Sequence, residues 1–110
     1  MRFRKSARLT RRGEFVAVQE RGRRVHGGAY LIFTLENGLG RARLGVSVSK
    51  RIGSAVTRNR VKRWLREAFR TAAPTLPPVD LVVIARAGAA DGGLGGARRA
   101  IAAAARVARP

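Results

Sequence analysis

Apolar positions along the chain change their period several times, and each change marks an element. Over 10–21, Phe15 and Val18 share one helical face, with Thr10 a candidate N-cap and Gly22 a stop. Residues 30–36 are rich in strand formers. Asn37-Gly38-Leu39-Gly40 then turns the chain into 41–49, where Leu44, Val46 and Val48 alternate with Arg43, Gly45 and Ser47. That pair reads as a β-hairpin. Over 54–71 the period becomes helical: Val61, Trp64, Leu65, Ala68 and Phe69 gather on one arc, and Lys62, Arg63, Arg66 and Arg70 on another. Pro74, Pro77 and Pro78 end that helix and its exit loop. Residues 79–85 carry Asp80 alone among apolar side chains, the signature of a strand covered on both faces. The five glycines of 87–96 predict a loop. A closing helix over 97–107 follows, with Ile101, Ala105 and Leu94 turned inward and Arg98, Arg99, Arg106 and Arg109 outward. Helix, hairpin, helix, strand, helix, with no internal repeat, is the order of a two-layer α+β domain.

Size and charge narrow what such a domain does. At 110 residues the chain has room for one core, so residues 1–110 are read as a single domain. Against 24 Lys and Arg stand six acids, a net charge of +18, and the 45% apolar content takes the chain out of the disordered class. Self-repulsion of that size favours a polyanionic partner. No apolar stretch approaches the length that crosses a bilayer, and the basic start, residues 1–5, is not followed by an apolar export segment, so no membrane partner and a cytoplasmic location are expected. The absence of cysteine removes disulfides and thiolate metal sites. Lys5, Lys50 and Lys62 are the only lysines, and arginine's planar fork suits phosphate and stacks on bases. Placement matters more than number. Residues 1–12 hold six cations and no acid, a basic tail over 1–9 that can lie along phosphates or stay mobile. From Lys50 to Arg70, Glu67 is the one acid among eight cations, where a merely solvated helix would mix signs to gain i,i+4 pairs. That asymmetry points to a nucleic-acid-binding face.

Catalytic constellations are missing. The single histidine, His26, lies among glycines without a nucleophile beside it, and reads as a strand-start residue or a phosphate contact. The acids are too scattered for paired-carboxylate or divalent-metal chemistry, Asp80 reads as structural, and no metal site in the protein is expected. Gly92-Gly93-Leu94-Gly95-Gly96 lacks the spacing and the Lys-Ser/Thr ending of a phosphate loop.

The segment 47–70 contains Lys50-Arg51-Ile52-Gly53, Arg58-Asn59-Arg60, Lys62-Arg63 and Arg66-Glu67 in one gapless run. It closely resembles the signature of the bacterial ribonuclease P protein family. Residues 8–15 look like the family's first helix and 78–86 like its last strand, so the likeness spans about residues 8–101. The resemblance implies an α+β sandwich of ribosomal-protein type, α-β-β-(β)-α-β-α, with a left-handed β-α-β crossover around the basic helix. It also implies a protein subunit of an RNA-based endoribonuclease that removes the 5′ leader of precursor tRNA. In such an enzyme the RNA and its Mg2+ ions are catalytic, and the protein supplies no catalytic residue. Carried over by position, Lys50, Arg51, Arg58, Asn59, Arg60, Lys62, Arg63, Arg66 and Arg70 would bind the catalytic RNA. Phe15, Gln19, Leu31 and Phe33 would line a cleft for the leader, raising substrate affinity and lowering the magnesium requirement. Relatives often place an aromatic where this chain has Gln19, which implies weaker stacking there. No obligate protein partner is implied.

Overall fold

A computed structural model of the chain describes residues 7–108. The elements run α1 (Arg12–Arg21), β1 (Arg23–Gly27), β2 (Tyr30–Glu36), β3 (Arg43–Ser47), α2 (Ala55–Ala72), β4 (Val79–Ala85) and α3 (Ala89–Ala108). The four strands form one sheet in the order β1-β2-β4-β3. β2 is antiparallel to both β1 and β4, and β3 is parallel to β4. This is the expected α+β class.

The predicted hairpin between 30–36 and 41–49 does not form. The turn between them is present: Asn37 Oδ1 accepts the Leu39 N–H at 2.9 Å, and Gly38 and Gly40 take φ of 65° and 76°. Yet β4 occupies the slot beside β2. A strand apolar on both faces gains most at the centre of a sheet, and six of β4's seven residues are buried. β2 pairs instead with β1, across a turn in which Gly28 takes φ of 59°. β1 was not predicted as an element of its own, because Val25 is its only apolar member beyond glycine.

α2 and α3 cover one face of the sheet, where Ile32, Leu81 and Val83 meet Val61, Leu65, Phe69 and Ile101 in a single core. The predicted wheel of α2 holds: Val61, Leu65, Ala68 and Phe69 are buried, and Trp64 packs at the margin. Ser54 caps the helix by accepting the Thr57 N–H. For α1 the predicted cap is wrong. Its N-cap is Arg11, with no side-chain bond, and Thr10 is exposed.

The glycine run is helical rather than a loop. α3 begins at Ala89 and is broken at Gly93, whose φ of 61° lets the chain re-enter the helix. Buried Ala89 on one side of the break and Ala97 on the other hold both pieces to the core, so packing overrides the poor helix propensity of glycine. Ile101 and Ala105 are buried as expected, Leu94 is half-buried, and Arg98, Arg99 and Arg106 are exposed. Arg109 and residues 1–6 lie outside the described residues. Of the basic stretch 1–9, Arg8 bridges to Leu44 and Leu9 is buried.

Candidate nucleic-acid interface

Two surfaces lie on opposite sides of the sheet. The first is the outer side of α2 and the turn before it. Lys50 and Arg51 are exposed in a 3-10 turn, and Asn59, Arg60 and Arg63 are exposed on α2. Lys62 and Arg66 are half-buried along the side nearest β3. Arg58 folds back, its Nη1 donating to the Gly53 carbonyl at 2.9 Å, which joins the turn to the helix. Arg70 differs from its neighbours. Its Nε and Nη2 donate to the two Glu67 oxygens at 3.0 and 2.5 Å, which holds the Glu67 carboxyl below the usual range and raises Arg70. Arg66 is shifted the other way, down, first by burial and then by the charge of Arg8.

The second surface is the sheet face away from α2 and α3. One row across the strands reads Arg24, Phe33, Val82, Gly45, and the next reads His26, Leu31, Ile84, Ser47. α1 lies over the first row, with Val18 buried beneath it in a cluster with Leu9, Phe33 and Val82. The Phe15 ring rests on Gly45, where an added Cβ would stand 2.7 Å from the ring. The second row stays partly open: Leu31 and Ile84 are half-buried, and His26 and Ser47 are exposed. Gln19 is exposed on α1, one turn beyond Phe15. The Arg24 guanidinium lies 5.6 Å from the centre of the Phe33 ring, so a cation borders the apolar strip. Helix and sheet together form an apolar groove bordered by Arg24.

The groove is pinned by one arginine. Arg43 donates to both Asp80 oxygens, Nε to Oδ1 at 2.8 Å and Nη2 to Oδ2 at 2.7 Å, and its Nη1 donates to Glu14 Oε2 on α1 at 2.9 Å. These bonds, chiefly those to Asp80, raise the Arg43 pKa. Asn37 also donates to Asp80 Oδ1, at 2.8 Å, so Asp80 is a structural hub. Glu14, Asp80 and Glu67 are thus committed to arginines, while Glu20 on α1, Glu36 on β2 and Asp91 on α3 are exposed. Among the described residues no three His, Asp or Glu side chains could hold a metal ion.

A profile of the Ribonuclease P family matches residues 3–108. The chain belongs to the ribonuclease P protein family. A ribonuclease P protein component from Desulfovibrio desulfuricans is 47% identical over 95 residues, covering 83% of this chain and 72% of that protein. One from Desulfatibacillum aliphaticivorans is 48% identical over 86 residues, covering 76% and 72%. The solved ribonuclease P protein of Staphylococcus aureus superposes with a TM-score of 0.84 at 30% identity, covering 96% of this chain and 97% of that one. That of Thermotoga maritima gives 0.81 at 27%, covering 94% and 98%. As a ribonuclease P protein, this chain is a subunit of the ribonucleoprotein endonuclease that processes the 5′ leaders of tRNA precursors.

Within this ribonuclease P protein, the residues expected to meet catalytic RNA fall on one continuous helix and turn, and those expected at the leader fall on α1 and β2. Two groups in or beside these surfaces were not anticipated from sequence: Arg24 and Ile84. Reading 23–27 as a strand would have placed Arg24 and His26 on one face by alternation.

Proposed function

We propose that the outer side of α2 seats the catalytic RNA and that the open sheet face takes the single-stranded 5′ leader of precursor tRNA. Lys50, Arg51, Arg58, Asn59, Arg60, Lys62, Arg63 and Arg66 form the first contact, with Arg70 held beside them by Glu67. Phe15, Gln19, Leu31 and Phe33, with Arg24 and Ile84, form the second. The observation that carries this reading is the distribution of acids. The one acid on α2, Glu67, is engaged by Arg70, and among the described residues no ion pair neutralises Arg60, Lys62, Arg63 or Arg66.

The chemistry follows from that arrangement. RNA phosphates displace counterions from an exposed cationic helix, which supplies affinity without base specificity. Unstacked leader bases lie on apolar and aromatic side chains inside basic rims, the physical pattern of single-strand recognition. By neutralising phosphates where two RNAs approach, the protein steadies the folded catalytic RNA and lowers its magnesium requirement. A leader contact distinguishes precursor from product. The hydrolysis and its Mg2+ ions belong to the RNA on this reading, and the chain acts as one RNA-binding domain in the cytoplasm, without another protein subunit. Among the described residues no helix is long and apolar enough to cross a membrane.

Cleavage of precursor tRNA by the reconstituted catalytic RNA, with and without this chain at limiting Mg2+, tests the proposal. The chain is expected to raise the rate at low Mg2+ and to lower KM for precursors that carry a leader. Equal rates with and without it would refute the reading. A structural RNA-binding protein would bind without stimulating.

A further inference from the structure

We propose that the cavity between the β1–β2 turn and the broken start of α3 binds a nucleoside phosphate, with Arg99 holding the phosphate and a glycine-walled slot taking the base. Among the described residues none from α1 or α2 lines this cavity. The site is therefore separate from the outer side of α2 and from the groove under α1.

The glycine run of 92–96 is no phosphate loop by its spacing, yet the fold gives it a use. The cavity measures about 340 Å³, within the range of small-molecule sites. One wall is the turn at Gly27 and Gly28, and the facing wall is α3 at Gly92 and Gly96. A Cβ added at Gly28 or at Gly92 would meet no atom within 4 Å, so backbone stands bare where side chains would fill the space. Such walls leave room for a flat body. Buried Tyr30 and Ala89 close the cavity on the core side, and Ala29 and Ala103 add only methyl groups.

Two polar side chains of this cavity define the ligand. Tyr30 is 2% exposed and its hydroxyl has no hydrogen-bond partner, although nearly every buried polar group in a folded protein has one. Burial pushes the Tyr30 pKa up, so the hydroxyl stays a neutral donor. A heterocyclic base offers it an acceptor, and a hydrocarbon does not. Arg99 forms no ion pair among the described residues, and its guanidinium stands over the glycine run. A Cβ at Gly95 would lie 3.4 Å from its Nη1, and one at Gly96 3.9 Å from its Nη2. The break at Gly93 gives the rest of α3 an N-terminus of its own, whose first amides lack helical acceptors and carry partial positive charge. A guanidinium fork beside such amides fits a phosphate. A free mononucleotide and the phosphorylated 5′ end of an RNA strand both present this chemistry.

Titration of the isotope-labelled full chain with adenosine 5′-monophosphate, and separately with a short RNA bearing a 5′-phosphate, tests the site by NMR. Saturable shifts are expected at the amides of Gly28, Gly92 and Gly96. Saturation by the mononucleotide assigns the site to a free nucleotide, saturation by the RNA end alone assigns it to a strand end, and either supports the proposal. Arg99→Ala should weaken binding about tenfold, as loss of a charge-assisted contact does. Arg99 is exposed, so that variant opens no cavity and the test stands even if Gly92→Leu, which places a side chain in the slot and should also weaken binding, folds poorly. Tyr30→Phe should weaken binding a few-fold while leaving Tm unchanged or higher, because the hydroxyl has no bond within the protein to lose. Arg60→Ala should bind the mononucleotide as the wild type does. Shifts confined to α2, no shift with either probe, or wild-type affinity in Arg99→Ala would overturn the site.

Discussion

At the scale of single residues, Arg43 shows how a very basic protein uses its few acids. Its guanidinium spans a β4 carboxylate and an α1 carboxylate, so one side chain sets the angle of α1 over the sheet. The Asp80 side chain is 8% exposed and that of Arg43 18%, which places the pair among those that are costly to break from one side. Asp80→Ala should therefore lower unfolding stability by about 3 kcal/mol, measured by urea denaturation, because it leaves Arg43 and Asn37 without their shared acceptor. A change below about 1 kcal/mol would contradict the hub. That Asp80 is structural was legible from its place in an apolar run. Its partner was not, because Arg43 lies 37 positions away, and a sequence does not say which cation crosses to meet a buried acid.

At the scale of elements, the groove depends on how closely α1 approaches the sheet, and Gly45 sets that distance. A Cβ there would stand 2.7 Å from the Phe15 ring and 3.0 Å from the Leu9 Cβ, so both must move. Gly45→Ala is expected to cost about 1–3 kcal/mol as an overpacking change. It should also reduce the preference for leader-bearing precursor over mature tRNA, leaving affinity for catalytic RNA unchanged. Equal losses for both tRNAs would show that α1 does not shape the leader contact. α2 was read correctly because its apolar arc, basic arc and Ser54 cap are all local signals. The strands were read unevenly. Alternation shows which side chains of β3 face the core, but not that β4 fills the place between β2 and β3. The glycines of α3 misled because helix propensity is local, and the alanines that anchor its two halves act through tertiary packing.

At the scale of the whole molecule, the two surfaces proposed to meet RNA lie back to back across one sheet, joined along the β3 edge by residues 8 and 9. The +18 charge points to a polyanionic partner, and the gapless segment 47–70 carries the family's signature. What sequence left hidden is the spatial order: Glu67 takes Arg70 out of the free set, and Arg8 joins Arg66 from the far end of the chain. The central claim is that the cations on the outer side of α2 contact phosphates of the catalytic RNA. The most direct measurement is the salt dependence of catalytic-RNA binding for the wild-type chain and for the double variant Arg60→Ala with Arg63→Ala, two exposed positions whose loss opens no cavity. The slope of log affinity against log salt should fall by about 1.5, with weaker binding at low salt. Parallel lines with equal affinities would contradict the account.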